Sequence, residues 1–148
     1  MEPRAFLRAI ADGLRDAAPK ELGALHVATR WQLAQGWYGN RQIHYECWVR
    51  RRLGTIEIGL HFEADPLTNA RLLGAFRKRE RAIRRGLGAA PRIEEWDRGW
   101  ARVWEPLPAT RLDGGLREGA VSRLALYVAV LEPILRADLP DDVEWAGP

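Results

Sequence analysis

The sequence predicts an α+β fold, a single antiparallel sheet with helices on one face, in the order α-β-β-β-α-β-β-α. Three observations carry this reading. Apolar residues alternate over two stretches, Ile43, Tyr45, Cys47, Val49 and then Ile56, Ile58, Leu60, Phe62. After Asp65-Pro66 they recur at helical spacing, as Leu72, Leu73, Phe76, Ile83 and Leu87. A change of period from 2 to about 3.6 marks a hairpin feeding a helix. The length of 148 residues suits one domain, and no apolar run approaches the ~20 residues of a membrane helix.

Residues 3–18 predict an amphipathic helix, with Phe6, Ile10, Leu14 and Ala17 on one stripe, Arg4, Arg8 and Arg15 off it, and Pro19 as its stop. Residues 25–35 predict one strand carrying Leu25, Val27, Trp31 and Leu33 on one face, although the run also admits a helix. Gly36 to Asn40 supply the turn. Strands over 41–50 and 55–64 follow. Only an odd-sum register keeps both apolar faces together, because a one-residue slip inverts a strand. The loop Arg51-Arg52-Leu53-Gly54 satisfies it, pairing Val49 with Ile56, Cys47 with Ile58, Tyr45 with Leu60 and Ile43 with Phe62, and Gly54 suits the left-handed conformation that closes such a loop.

Asp65 then caps a helix whose first residue is Pro66, where a missing amide costs nothing. That helix runs to about Arg85 and stops at Gly86 and Gly88. Residues 93–96 and 101–107 predict a second hairpin around Asp97-Arg98-Gly99; its inward face stays open, since Trp96, Trp100 and Trp104 do not alternate with the rest. Residues 116–137 predict the last helix, with Val121, Leu124, Ala125, Val128, Leu131 and Leu135 inward and a kink or break at Pro133. The tail from Pro140 to Pro148 is expected to be irregular.

A hydrophobic fraction of 47% and seven Trp argue for a packed core over disorder. The single Cys47 forms no internal disulfide, and Glu2, Arg4 and Arg8 interrupt any signal segment, so a cytoplasmic location is expected. A net charge of +3 invites an anionic partner. The basic residues, however, are 21 Arg against 2 Lys, in a chain rich in Ala, Gly and Pro with one Ser. GC-rich codons explain that bias, so nucleic acid is disfavoured as a partner.

The polar sheet face holds the best constellation. The register above sets His44 opposite His61 and Trp48 opposite Glu57, and a five-residue first turn sets Arg30 opposite Glu46 and Gln32 opposite His44. Arg30, His44, Glu46, Trp48, Glu57 and His61 are the expected binding face or subunit interface; the competing reading is a solvated face with an ordinary Arg30–Glu46 pair. His44 and His61, with Glu46 or Glu63, offer metal donors, but no tight ligand motif such as HExxH accompanies them, and the expectation is no metal and no cofactor. The central helix carries Arg77, Lys78, Arg81, Arg84 and Arg85, an alternative phosphate-contacting face set against a simply solvated one.

Catalytic motifs are nearly absent. Ser122 has no GxSxG around it, Cys47 points inward, and neither a P-loop nor a dinucleotide fingerprint occurs, so no catalytic residue is expected. Tryptophans 31, 96, 100 and 104 are expected in the core, the sharper alternative being a ligand cavity between sheet and helices.

The element order resembles that of type III secretion chaperones and the related YbjN-like proteins. That resemblance implies a homodimer that binds protein or peptide segments. Separately, Ile56-Glu-Ile-Gly-Leu-His-Phe-Glu63, the capped helix and Ile93-Glu-Glu-Trp96 are similar to an uncharacterised bacterial domain found beside nuclease-like domains. Neither resemblance assigns a residue. The expectation is a cytoplasmic, non-enzymatic protein- or peptide-binding module acting as a homodimer. The alternatives are a nucleic-acid-associated accessory domain and a small-molecule binder with a Trp-lined pocket.

Overall fold

The structure, a computed structural model, describes residues 1–139, so the expected irregular tail lies outside the described residues. Helix α1 (Pro3–Ala17) buries Phe6, Leu7, Ile10, Ala11 and Leu14, a stripe with helical spacing of three and four. Four strands follow: β1 (His26–Arg30), β2 (Leu33–Trp37), β3 (Ile43–Arg50) and β4 (Thr55–Phe62). Helices α2 (Pro66–Lys78) and α3 (Glu80–Leu87), strands β5 (Arg92–Trp96) and β6 (Trp100–Pro108), and the long α4 (Gly114–Asp138) complete the chain. All six strands form one antiparallel sheet in the spatial order β1-β2-β3-β4-β6-β5. The class is therefore α+β. No helix among the described residues is long and apolar enough to cross a membrane.

The central hairpin pairs as its alternation requires. Ile43 faces Phe62, Tyr45 faces Leu60, Cys47 faces Ile58 and Val49 faces Ile56, and Gly54 closes the loop at φ 63°. These eight side chains are at most 4% exposed, each contributing about 1.5–3 kcal/mol by burial for the larger aliphatics. Helices α1, α2 and α4 pack over that face. Asp65 caps α2, its carboxylate accepting from the Thr68 amide at 3.1 Å and the Thr68 hydroxyl at 2.6 Å. Two acids enter the helix side with their partners. Glu132 accepts from the Tyr45 hydroxyl at 2.9 Å and from Arg136 Nε at 3.0 Å. Glu105 accepts from the Tyr127 hydroxyl at 2.8 Å and from Arg123 Nε at 2.9 Å.

Three elements differ from the sequence expectation. The single strand over 25–35 is instead two, β1 and β2, folded back at Trp31-Gln32. No Gly, Asn or Pro marks that turn, and Trp31 takes it at φ 53°, a conformation that β-turns normally give to glycine. The helix expected over 66–85 breaks at Arg79 (φ −99°, ψ 13°). Leu72, Leu73 and Phe76 of α2 then serve the sheet side, while α3 turns Ile83 and Leu87 toward α4. Pro133 does not interrupt α4, which runs unbroken to Asp138; the only backbone donor removed is the one that would serve the Ala129 carbonyl.

The helix-free face of the sheet is rolled inward. Strands β3 and β5 stand three places apart, about 14 Å in a flat sheet, yet the rings of Trp48 and Trp96 have centroids 6.3 Å apart. The tips of the β1–β2 and β5–β6 hairpins, from opposite edges, line one cleft. Gly59 permits a close approach of β4 to β6, because a Cβ there would lie 2.2 Å from the Val103 carbonyl oxygen and 2.7 Å from Trp104 Cα. Gly59→Ala is therefore expected to lower unfolding stability by at least about 2 kcal/mol through overpacking against backbone, read as a shift in the urea midpoint. An unchanged midpoint would mean that β4 and β6 do not pair in this register.

Candidate ligand cleft and histidine–carboxylate cluster

Side-chain alternation sends everything between the core residues to the opposite face. His44, Glu46 and Trp48 thus project from β3, and Glu57 and His61 from β4, with Glu63 just beyond it. Far from being a solvated surface, this face is closed: His44 is 3%, Glu46 4% and His61 2% exposed. The His44 and His61 rings stack nearly parallel, with centroids 5.6 Å apart.

The surroundings fix one tautomer in the cluster. His44 Nδ1 lies 2.8 Å from the Arg41 carbonyl, which only accepts, so Nδ1 donates. Its Nε2 then faces Glu46 Oε1 at 3.1 Å and Glu63 Oε2 at 3.8 Å. His61 is flanked on both sides, Nδ1 by Glu63 Oε2 at 3.1 Å and Nε2 by Glu46 Oε2 at 3.4 Å. Gln35 on β2 reaches Glu46 Oε1 and His44 Nε2, each at 3.3 Å. One ligand atom from each of His44, Glu46, His61 and Glu63 lies within 4.8 Å of the other three, a set able to hold a metal ion.

Aromatic and guanidinium groups wall the space above. Trp31, Trp48, Trp96 and Trp100 surround a cleft of about 390 Å³ with Glu46 and Glu63 at its floor. Arg102 lies between Trp96 and Trp104, 4.2 and 3.8 Å from their ring centres, and donates to Glu57 at 2.9 Å. Glu57 also accepts from Arg50 at 3.1 Å, and Arg50 covers the Trp48 ring at 3.9 Å. Trp104 Nε1 donates to Glu94 at 2.7 Å. Trp31, at the rim, is 86% exposed despite its strained backbone. An exposed Trp held at positive φ pairs two features that concentrate at binding sites.

No family model matches this chain, and no match was found among curated proteins or solved structures. The site therefore stands on its own geometry. Of the residues expected from sequence, His44, Glu46 and His61 meet in the cluster, Trp48 walls the cleft, and Glu57 is occupied by Arg50 and Arg102. Arg30 lines the cleft but does not face Glu46, because the turn at Trp31-Gln32 brings Gln35 to that position. Tryptophans 96, 100 and 104 lie on the helix-free face, so the cleft sits there and not between sheet and helices. Gln35 and Arg102 were not among the expected site residues, and Trp96 was expected in the core or, in the alternative, along a cavity between sheet and helices. On the basic helix, Arg77, Lys78, Arg81 and Arg85 are exposed. Arg84 is bound to Glu80 at 2.8 Å and to the Ala89 and Pro91 carbonyls. Cys47 is fully buried, and that burial pushes its thiol up to about 12.

Burial works against a charged His44 ring, yet the hydrogen bond and charge of Glu46, with the charge of Glu63, raise its pKa above the ordinary 6.5. Burial likewise favours a neutral Glu46. The charge of His61 and the bonds and charge of His44 outweigh it and hold the carboxyl at about 2. The His44 contribution to stability is complete below its unfolded pKa and lost as pH rises through the raised folded one. The Glu46 contribution is complete above its unfolded value and lost as pH falls toward 2. With metals chelated, the urea midpoint is expected to be highest between the two ordinary values, 4.5 and 6.5, and His44→Gln is expected to flatten the alkaline limb. A midpoint that climbs steadily into alkaline pH would contradict this coupling.

Proposed function

We propose that this chain is a non-enzymatic binding module that takes one compact organic ligand, with a flat ring system, into the tryptophan-walled cleft. The single observation that carries the proposal is the cleft itself. Its volume of about 390 Å³ falls in the ~300–1,000 Å³ range of small-molecule sites, which are apolar-walled with a few convergent polar groups. Trp48, Trp96 and Trp100 offer stacking surfaces, and Gln35, Glu46 and Glu63 meet the polar end of the ligand. This geometry favours a small molecule over the broad protein interface that the element order suggests. A protein partner or a second copy of the chain would reach His44 and His61 only by inserting a side chain.

Titration with aromatic heterocycles, followed by tryptophan fluorescence, tests the proposal. Saturable quenching is expected, and Trp48→Ala is expected to weaken binding by about 10-fold, the upper end for a lost aromatic pair. Trp31→Gly removes both a rim ring and the strained φ. It is expected to weaken binding while leaving stability equal or higher by about 1 kcal/mol. Leu126→Ala, an exposed side chain on α4, across the sheet from the cleft, serves as the control. Absence of saturable binding across a chemically varied set, or equal affinity in Trp48→Ala, would overturn the proposal.

A further inference from the structure

We infer that His44, Glu46, His61 and Glu63 form a binding site for a single divalent first-row transition-metal ion at the floor of the cleft. The inference goes beyond the cleft's organic ligand and stands whether or not one binds.

The argument begins with lone pairs. His44 Nδ1 donates to the Arg41 carbonyl at 2.8 Å, so the Nε2 of a neutral ring turns its lone pair toward Glu46 Oε1 at 3.1 Å. A neutral His61 has one N–H for two carboxylate neighbours, at 3.1 and 3.4 Å, so one of its nitrogens also opposes an oxygen. With both rings neutral, the two carboxylates leave two nitrogen–oxygen contacts with no proton between them and a charge of −2, which the neutral Gln35 amide, 3.3 Å from His44 Nε2 and from Glu46 Oε1, does not offset. One dication among the four side chains removes both contacts and the charge together. Two extra protons would do the same, and that is the alternative the experiment must exclude.

Geometry supports the ion. A tetrahedron with bonds of ~2.0–2.1 Å has ligand–ligand edges of about 3.3–3.4 Å. With one donor taken from each residue, His44 Nε2 to Glu46 Oε1 at 3.1 Å, His61 Nδ1 to Glu63 Oε2 at 3.1 Å and His44 Nε2 to Glu63 Oε2 at 3.8 Å bracket that value, and one donor atom of each residue lies within 4.8 Å of the other three. The Arg41 carbonyl on Nδ1 is the outer-shell contact that fixes the tautomer and orients a metal-bound imidazole. Two nitrogens and two carboxylates suit a zinc-class ion better than calcium or magnesium, which prefer all-oxygen sets. Three donors are sealed, while the Glu63 side chain is 18% exposed and lies on the cleft side. An entering ion therefore has a route, and a coordination position can open toward the cleft.

The test uses the full chain without a histidine tag, stripped by chelation and titrated with Co2+. Saturation at one equivalent is expected, with ligand-field absorption of the strength that four-coordinate Co2+ shows, displaced by one equivalent of Zn2+. Glu63→Gln is the variant least disturbing to the fold, and His61→Gln is the second, each checked by near-ultraviolet circular dichroism. Each is expected to weaken Co2+ binding by more than the roughly 10–100-fold that loss of an outer-shell partner costs. Zn2+ is also expected to raise the melting temperature of the stripped chain and not of the variants. Absence of saturable Co2+ bands, or equal affinity in both folded variants, would overturn the inference and leave the cluster held by protons. The fluorescence titration with heterocycles on the same sample reads the cleft separately, so loss of one result does not stand for loss of the other.

Discussion

Pairing of β3 with β4 is the constraint on which the remaining structure depends. Each strand presents apolar and polar residues at alternate positions, so a register that buries one set commits the other to the opposite face. Ile43, Tyr45, Cys47 and Val49 meet Phe62, Leu60, Ile58 and Ile56 under the helices. The same pairing leaves His44 directly across from His61 and Trp48 across from Glu57. The chemically active residues are where they are because the greasy ones are where they are. Any slip would exchange a hydrophobic core for a layer of imidazole and carboxylate, and the penalty for unpaired buried charge makes that state inaccessible.

Rolling of the sheet turns that face from a surface into an interior. Residues that a flat sheet would leave wet are instead covered by Trp96 and Trp48, and by Arg102 lying between two indoles. Water exclusion strengthens every electrostatic contact beneath. Glu46 therefore binds strongly to its histidine neighbours, and Glu57 and Arg102 pair at 2.9 Å with both side chains 8% exposed. Arg102 pays part of its desolvation through the aromatic faces on either side. The face is thus built of charge held in place by rings, and the cleft is an opening into it that the tryptophans frame.

Much of this was legible in the chain. Strict alternation over 43–49 and 56–62 located the central hairpin and its partners residue by residue, including the His44–His61 juxtaposition. Asp65-Pro66 marked a helix start because capping chemistry is local. The turn at Trp31-Gln32 was not legible, since it uses a residue whose intrinsic preference opposes the conformation, and pairing of β1 with β2, with the Val49 amide donating to the Gln32 carbonyl at 3.0 Å, holds it there. Missing that turn moved Arg30 into the place that Gln35 occupies. The break at Arg79 carries no Gly or Pro and arises from the competing pulls of the sheet and α4 on two halves of one amphipathic stripe. Tryptophans 96, 100 and 104 looked like core because large rings usually are. Their common side became evident only once Trp96 paired with Trp100 across the tight β5–β6 turn. The closeness of the four donors follows from the β3–β4 register; their burial depended on rolling, which no periodicity encodes.

The most direct test of the rolled, closed face is a solution measurement of ring–ring proximity. Nuclear Overhauser contacts are to be sought between Trp48 and Trp96 and between His61 and Trp96, whose ring centroids lie 6.3 and 5.6 Å apart. The account predicts cross-peaks for both pairs in the full chain. Their absence, with the Trp96–Trp100 contact of the same hairpin still present, would mean a flat sheet in which β3 and β5 stand about 14 Å apart. In that case neither the sealed cluster nor its cleft would exist.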